Sequence, residues 1–389
     1  MQKQTSPWLT GQPNHHSSTD LYKIQNSERL LTPQLVFYRD LIQHNLAQVI
    51  AMAGNPAKLR PHVKTHKCGE IVRMQTQAGI HKHKCATIAE AELLANSGAT
   101  DILIAYPLVG PNVDRLVKLI QQFPEVKFSV IIDDLDIATV MHQTLQDHQL
   151  KLKVYIDINP GMQRTGIALG SAAVELYRQL GKLPHFKLGG FHVYDGHHHQ
   201  ASRGEREKAV EQLLQQVMQM RQQMEKEGLP VPSIICGGTP TFPIYAAMNF
   251  PGLECSPGTF ILHDSGYGSK FDDLKNLIPA AVVITRVISK PAKNLLTLDL
   301  GHKAIAADPP AGKRCSLVNI SSYNPVIHSE EHFTIETDQI EKFAIGNMVY
   351  AIPTHICPTV ALHEFAYVVE GGKVIAQWPI KGRARFLTI

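Results

Sequence analysis

RPHVKTHK, residues 60–67, ends the first of eight short β-type runs and puts Lys64 where a strand gives way to its loop, between two histidines. An amine held at such a junction among other cations, which disfavour its protonated form, has the placement a Schiff base needs. The first run is Lys58–Lys64. Seven more follow: Lys82–Thr87, Asp101–Tyr106, Lys127–Ile132, Lys153–Asp157, Lys187–Val193, Ser233–Cys236 and Leu253–Cys255. Helical patterns lie between them. The clearest are residues 88–98, stopped by Gly98, and 205–228, where Val210, Leu213, Leu214, Val217 and Met220 form one apolar stripe. Eight β-then-α units predict an α/β chain built on a (β/α)8 TIM barrel. A doubly wound sheet fits less well, because no GxGxxG follows the first strand.

After Tyr267 the texture changes. Val282–Ile288, Leu295–Leu300, Phe333–Thr337, Asn347–Ile352 and Phe365–Val369 read as short strands separated by turns, a separate β domain. The expected division is an N-terminal arm at 1–30, the barrel at 31–270 and the β domain at 271–389. The arm is polar and rich in Ser and His, and His15 and His16 read as part of a solvated, loosely held tail.

At 389 residues the chain exceeds one ordinary core, and 44% hydrophobic with 19% charged residues describes a folded protein. The net charge of +4 is modest and its basic residues are dispersed, which speaks against a nucleic-acid partner and is enough for small anionic ligands. No apolar run approaches the roughly 20 residues that span a bilayer, so no membrane partner is expected. Six cysteines without a CxxC pair point to a reducing, cytoplasmic setting.

In a barrel, reactive groups collect at the C-terminal ends of the strands. Lys64 falls at the end of the first, Arg164 just after the fifth in DINPGMQRTG, and HVYDGHHH (192–199) at the end of the sixth. The seventh and eighth end in CGGTPT (236–241) and CSPGTF (255–260), small loops whose backbone N–H groups can approach an anion. A Schiff-base lysine facing a phosphate cradle implies pyridoxal 5'-phosphate, which needs both an imine partner and a phosphate anchor.

In RPHVKTHK, GMQRTG, VYDGH, GGTPT, SPGTF and PTHICPTVALHE (353–364), taken in order, the chain resembles the fold-type III pyridoxal-phosphate enzymes with alanine-racemase-like barrels, within them the D-serine dehydratase and D-threonine aldolase branch. The resemblance implies that Lys64 is the catalytic lysine that carries the cofactor, with Arg164 beside its phenolic oxygen and Tyr194 near its ring. It also implies that Gly238, Thr239, Gly258 and Thr259 surround the phosphate. Phe260 departs from the tyrosine that often follows the PG in this family, so one phosphate-directed hydroxyl is absent or supplied elsewhere.

His355-Ile-Cys357 is the second centre. On an extended segment both side chains of an H-x-C pair share a face, and imidazole with thiolate suits Zn²⁺ while leaving positions open for water or substrate. A lone H-x-C is more often a packed cysteine beside a polar histidine. The resemblance reverses that weighting, since dehydratase members carry His-x-Cys here and threonine aldolases typically His-x-Asp; Mn²⁺ or Mg²⁺ are the alternatives to zinc. His197, His198 and His199 read as a polar rim. His62 and His66, as alternating strand neighbours of Lys64, cannot all share its pocket.

The resemblance thus implies a pyridoxal-phosphate- and metal-dependent lyase of D-β-hydroxy amino acids, most simply D-serine to pyruvate and ammonia. Retro-aldol cleavage to glycine and an aldehyde is the alternative, followed by a racemase and a non-catalytic cofactor carrier. The resemblance further implies a homodimer.

Overall fold

The computed structural model describes residues 4–5 and 18–388. The chain groups into two compact units, one of residues 49–64 and 68–258 with the tail from Ala384, the other of residues up to 48, 65–67 and 259–383. His15 and His16 lie outside the described residues.

The first unit is a curled, wholly parallel β/α sheet. Its strands run in spatial order Lys82–Cys85, Asp101–Ile104, Lys127–Ile132, Leu152–Asn159, Phe186–Val193, Ser233–Cys236 and Leu253–Cys255, with a two-residue strand, Ile167–Ala168, beside the fourth. Seven of the eight expected runs are therefore strands at their expected places. The eighth, Lys58–Lys64, is not a regular strand. It starts and ends in single 3-10 turns, Pro56–Lys58 and Val63–Thr65, and touches its neighbours at two isolated parallel bridges, Leu59 with Cys255 and His62 with Lys84. Asn55 caps the first turn through its side chain, and Pro61 has no N–H to donate to a ladder. The segment still lies between the last strand and the first, with Arg60 N donating to Cys255 O at 2.8 Å and Lys84 N to Pro61 O at 2.9 Å.

Arg60 makes that closure an ionic one. Its fully buried guanidinium reaches Glu254 Oε2 at 2.6 Å and Asp101 Oδ1 at 2.7 Å, while Lys82 Nζ takes the other Glu254 oxygen at 2.7 Å. Buried charges persist where they are paired in this way. Outside the sheet, the Ile88–Asn96 helix is capped by Thr87: Glu90 N donates to Thr87 Oγ1, and Glu90 Oε2 accepts from Ala86 N, the residue before the cap. The Arg203–Lys226 helix buries Val210, Leu213, Val217 and Met220, as its apolar stripe requires.

The second unit is a mainly antiparallel sheet in the order Ser322–His328, Phe333–Glu336, Leu295–Leu298, Ala281–Ala292, Gln34–Tyr38, Phe365–Glu370, Lys373–Pro379. Met348–Pro353 also pairs with Ala281–Ala292, and Cys315–Leu317 with Met348–Pro353. Its core gathers Val283, Val287, Leu296, Leu298, Phe333, Ile335 and Val349. Gln34–Tyr38, from the start of the chain, is a member, pairing antiparallel with Ala281–Ala292 and parallel with Phe365–Glu370. The end of the N-terminal arm is packed instead of loose: Tyr22 and Ile24 are buried, and Tyr22 Oη donates to Pro279 O at 2.8 Å. Among the described residues no helix is long and apolar enough to cross a membrane.

Candidate active site

His62 and Lys64, two residues apart at the 3-10 turn Val63–Thr65, line the same cavity. Lys64 N donates to His62 Nδ1 at 3.2 Å, which fixes the imidazole beside the lysine's own backbone. The cavity, about 370 Å³, is also lined by Lys84, Arg164, Thr165, His192 and Tyr194, the ends of the first, second, fifth and sixth barrel segments. It is of a size that takes a small ligand.

Tyr194 is its centre. Arg164 Cζ lies 4.8 Å from the ring centroid, Lys84 Nζ 5.6 Å and Lys64 Nζ 5.7 Å. Three cationic side chains meet in a lining that contains no carboxylate. That donor set fits an anionic ring bearing an aldehyde, such as pyridoxal phosphate, and Lys64, Arg164 and Tyr194 are brought together as the sequence led one to expect.

The glycine loops adjoin the same tyrosine. Gly237 has φ +74°, open to glycine at little cost, and a Cβ on Gly238 would come within 3.2 Å of Tyr194 Cε2. Gly258 N donates to the buried Thr239 Oγ1 at 3.2 Å, so the two loops are joined. Such close backbone approach suits a phosphate. Thr259 belongs to the second unit, where it begins the Thr259–Ile261 turn with its hydroxyl 3.7 Å from Cys357 Sγ.

Sequence reasoning did not single out Lys84, His192, Asp157 or Thr165. Lys84 Nζ lies 3.5 Å from His192 Nε2, His192 Nδ1 2.7 Å from Asp157 Oδ1, and Thr165 Oγ1 donates to Asp157 Oδ2 at 2.9 Å. Burial, the Lys64 charge and Arg164 push the Lys84 amine down to about 7, against the opposing pull of Asp157 and Cys236. The available signal was a lysine and a histidine inside strands that parallel sheets normally fill with apolar residues.

His355 and Cys357 do not lie on an extended segment. His355 caps the Ile356–Leu362 helix and Cys357 sits in its first turn. Asp264 holds that turn: buried, it accepts from Ile356 N at 3.2 Å and from Tyr267 N at 2.9 Å. His355 Nδ1 pairs with Asp308 Oδ2 at 2.5 Å. The hydrogen bond to Cys357 and the Asp308 carboxylate raise the His355 imidazole to about 9. Burial alone would raise the Cys357 thiol, but hydrogen bonds from His355 and Thr65 outweigh it and hold the thiol below its usual range. Imidazole and an easily formed thiolate fit a borderline-soft metal as two ligands. Among the described residues, no group of three or more His, Cys, Asp or Glu is arranged to hold one.

Residues 38–264 match the alanine racemase N-terminal domain, and residues 280–369 match a putative serine dehydratase domain. A D-threonine aldolase from Arthrobacter sp. is 27% identical over 361 residues, 91% of this chain and 93% of that protein. A D-threo-3-hydroxyaspartate dehydratase from Delftia sp. is 25% identical over 352 residues, 84% of this chain and 91% of its own. In fold, the crystal structure of D-threonine aldolase from Filomicrobium marinum is similar with a TM-score of 0.85, at 24% identity, covering 93% of this chain and 98% of that one.

Proposed function

The chain belongs to the alanine racemase N-terminal domain family, and from that premise we propose a pyridoxal-phosphate- and divalent-metal-dependent lyase acting on a D-configured β-hydroxy amino acid. D-Serine is the substrate, pyruvate and ammonia the products, and zinc the metal. The observation that carries this reading is the cavity that gathers Lys64, Arg164 and Tyr194, in a chain that also sets His355 and Cys357 together at the start of one helix. The match of residues 280–369 to a putative serine dehydratase domain, and two relatives that are both lyases by name, support it.

Pyridoxal phosphate, when bound, supplies the electron sink that makes the Cα proton of an amino acid acidic. Lys64 would hold the cofactor through Nζ, and its amine is placed to take the Cα proton. Arg164 would serve the cofactor's phenolic oxygen as a charge-assisted donor, and Tyr194 would support the ring. Gly238, Thr239, Gly258 and Thr259 would bind the phosphate. His355 and Cys357 would hold the metal, which would supply Lewis acidity toward the β-hydroxyl. The amino acid loses water across Cα–Cβ, and water then releases ammonia from the product. All six cysteines are free, which supports a cytoplasmic site of action.

The Arthrobacter relative favours a second reading, retro-aldol cleavage to glycine and an aldehyde. A panel of D- and L-serine and threonine separates the two. Pyruvate from D-serine is expected; glycine with acetaldehyde from D-threonine would establish the aldolase instead. Neither product from any substrate would end the lyase reading and leave a racemase or a cofactor carrier.

A further inference from the structure

Lys84 is a buried lysine in the Lys82–Cys85 strand, in the same cavity as Lys64, and among the described residues no carboxylate pairs with it directly. Its polar neighbour is His192. A carboxylate oxygen can only accept, so the 2.7 Å contact with Asp157 places the imidazole hydrogen on Nδ1 and turns the Nε2 lone pair towards Lys84. Thr165 occupies the other Asp157 oxygen and keeps the carboxylate from rotating away. Lys84 can donate to Nε2 whether it is neutral or cationic. Gaining or losing a proton therefore breaks no hydrogen bond, and in the neutral form a lone pair remains available to the cavity.

We propose that Lys84, His192 and Asp157 form one proton-holding unit and that Lys84 is a second acid/base group of the pocket, beside Lys64. This deepens, and rests on, the lyase reading above. In the exchange, the neutral Lys84 amine takes one proton from the bound amino acid and becomes an ammonium; returning that proton restores the amine. The charged and titratable groups facing it are Lys64 and Arg164, which disfavour the ammonium, Asp157 and Cys236, which favour it, and His192 and Tyr194. His62 lies on the backbone bridge beside it. Burial lowers the amine most, and with these groups it stands at about 7.

Residue-resolved amine reactivity in the cofactor-free protein tests the unit without turnover. Formaldehyde with cyanoborohydride at limiting concentration, followed by peptide mass spectrometry across a pH series, reads the Lys84 midpoint. It is expected near 7 in wild type. Asp157→Asn should move it lower, because the charge favouring the ammonium is gone and the amide can turn the imidazole N–H towards Lys84. A Lys84 midpoint equal to that of surface lysines, or unmoved by Asp157→Asn in a folded protein, overturns the proposal. In the loaded protein, Lys84→Met should keep the visible cofactor band and lose turnover about 100-fold. Lys84→Arg should not rescue it, since a guanidinium stays charged. Turnover in Lys84→Met within about threefold of wild type also overturns it. If wild type itself turns over no D-β-hydroxy amino acid, the lyase reading fails on its own and the labelling result alone decides the proton-holding unit.

Discussion

Thr65 Oγ1 and Cys357 Sγ meet at 3.2 Å although 292 positions separate them in the chain. Thr65 is the residue after Lys64, so the peptide that carries the proposed cofactor lysine continues directly into a hydrogen bond with the proposed metal thiol. The hydroxyl helps hold that thiol below its usual range, which favours the thiolate a metal binds.

Cys357→Ala should therefore strip bound zinc, read by elemental analysis after dialysis, and abolish turnover while the visible cofactor band persists, because Lys64 and the glycine loops hold the cofactor independently. Chelation of the wild type should do the same. Wild-type metal content in the variant would reject the His355–Cys357 pair. Best recovery of the metal-free protein with Mn²⁺ instead of Zn²⁺ would favour a harder site than this pair provides.

Lys64→Ala should abolish the visible band, since no amine at that position remains to attach the cofactor. Borohydride reduction and peptide mapping of the wild type give the independent check. With two amines in one cavity the mapping is decisive: recovery of the label on Lys84 would exchange the roles of Lys64 and Lys84.

The barrel was legible in the sequence because seven of its eight segments are short β-type runs that alternate with helical patterns and form strands where expected. The first segment was not, since Pro61 and the two flanking turns leave bridges only at Leu59 and His62, and a backbone held by two bridges has no period to read. Of the two histidines flanking Lys64, His62 lines its cavity and His66 is not among the lining residues. Lys64, Arg164 and Tyr194 were readable from their place at strand ends. Lys84 and His192, each one residue short of its strand's end, were not singled out, because only the three-dimensional arrangement puts them beside each other. His355 and Cys357 were found by residue type, although a helix start, not an extended segment, sets their geometry. Strand Gln34–Tyr38 escaped because its partners lie more than two hundred residues away.

A homodimer is expected from the family resemblance, with the β domain of one chain covering the barrel mouth of the other and excluding bulk water from the reactive lysine. The exposed Val326, Ile327 and Ile345 of the second unit offer apolar surface for such contact. Light scattering coupled to size-exclusion chromatography should return twice the chain mass; a monomer at every concentration tested would reject it.

Arg60, in the same octapeptide as Lys64, has a structural task that its place beside the catalytic lysine does not announce. It ties the irregular closing segment to Asp101 on one side and Glu254 on the other. Burial would raise both carboxyls, but the Arg60 charge and its hydrogen bonds outweigh it and hold them below their ordinary values. A carboxyl depressed on folding adds stability that is fully present above its unfolded value, near 4, and is lost as the pH falls through the lower native value. Arg60→Met leaves two buried carboxylates short of their partner and should destabilise the protein by about 3–5 kcal/mol at neutral pH. Urea unfolding across an acid series should show that loss shrinking as the carboxyls protonate, because the neutral forms no longer need the guanidinium. Equal stability of wild type and variant at pH 7, with the barrel intact by circular dichroism, would show that the bridges at Leu59 and His62 close the barrel without the ion cluster.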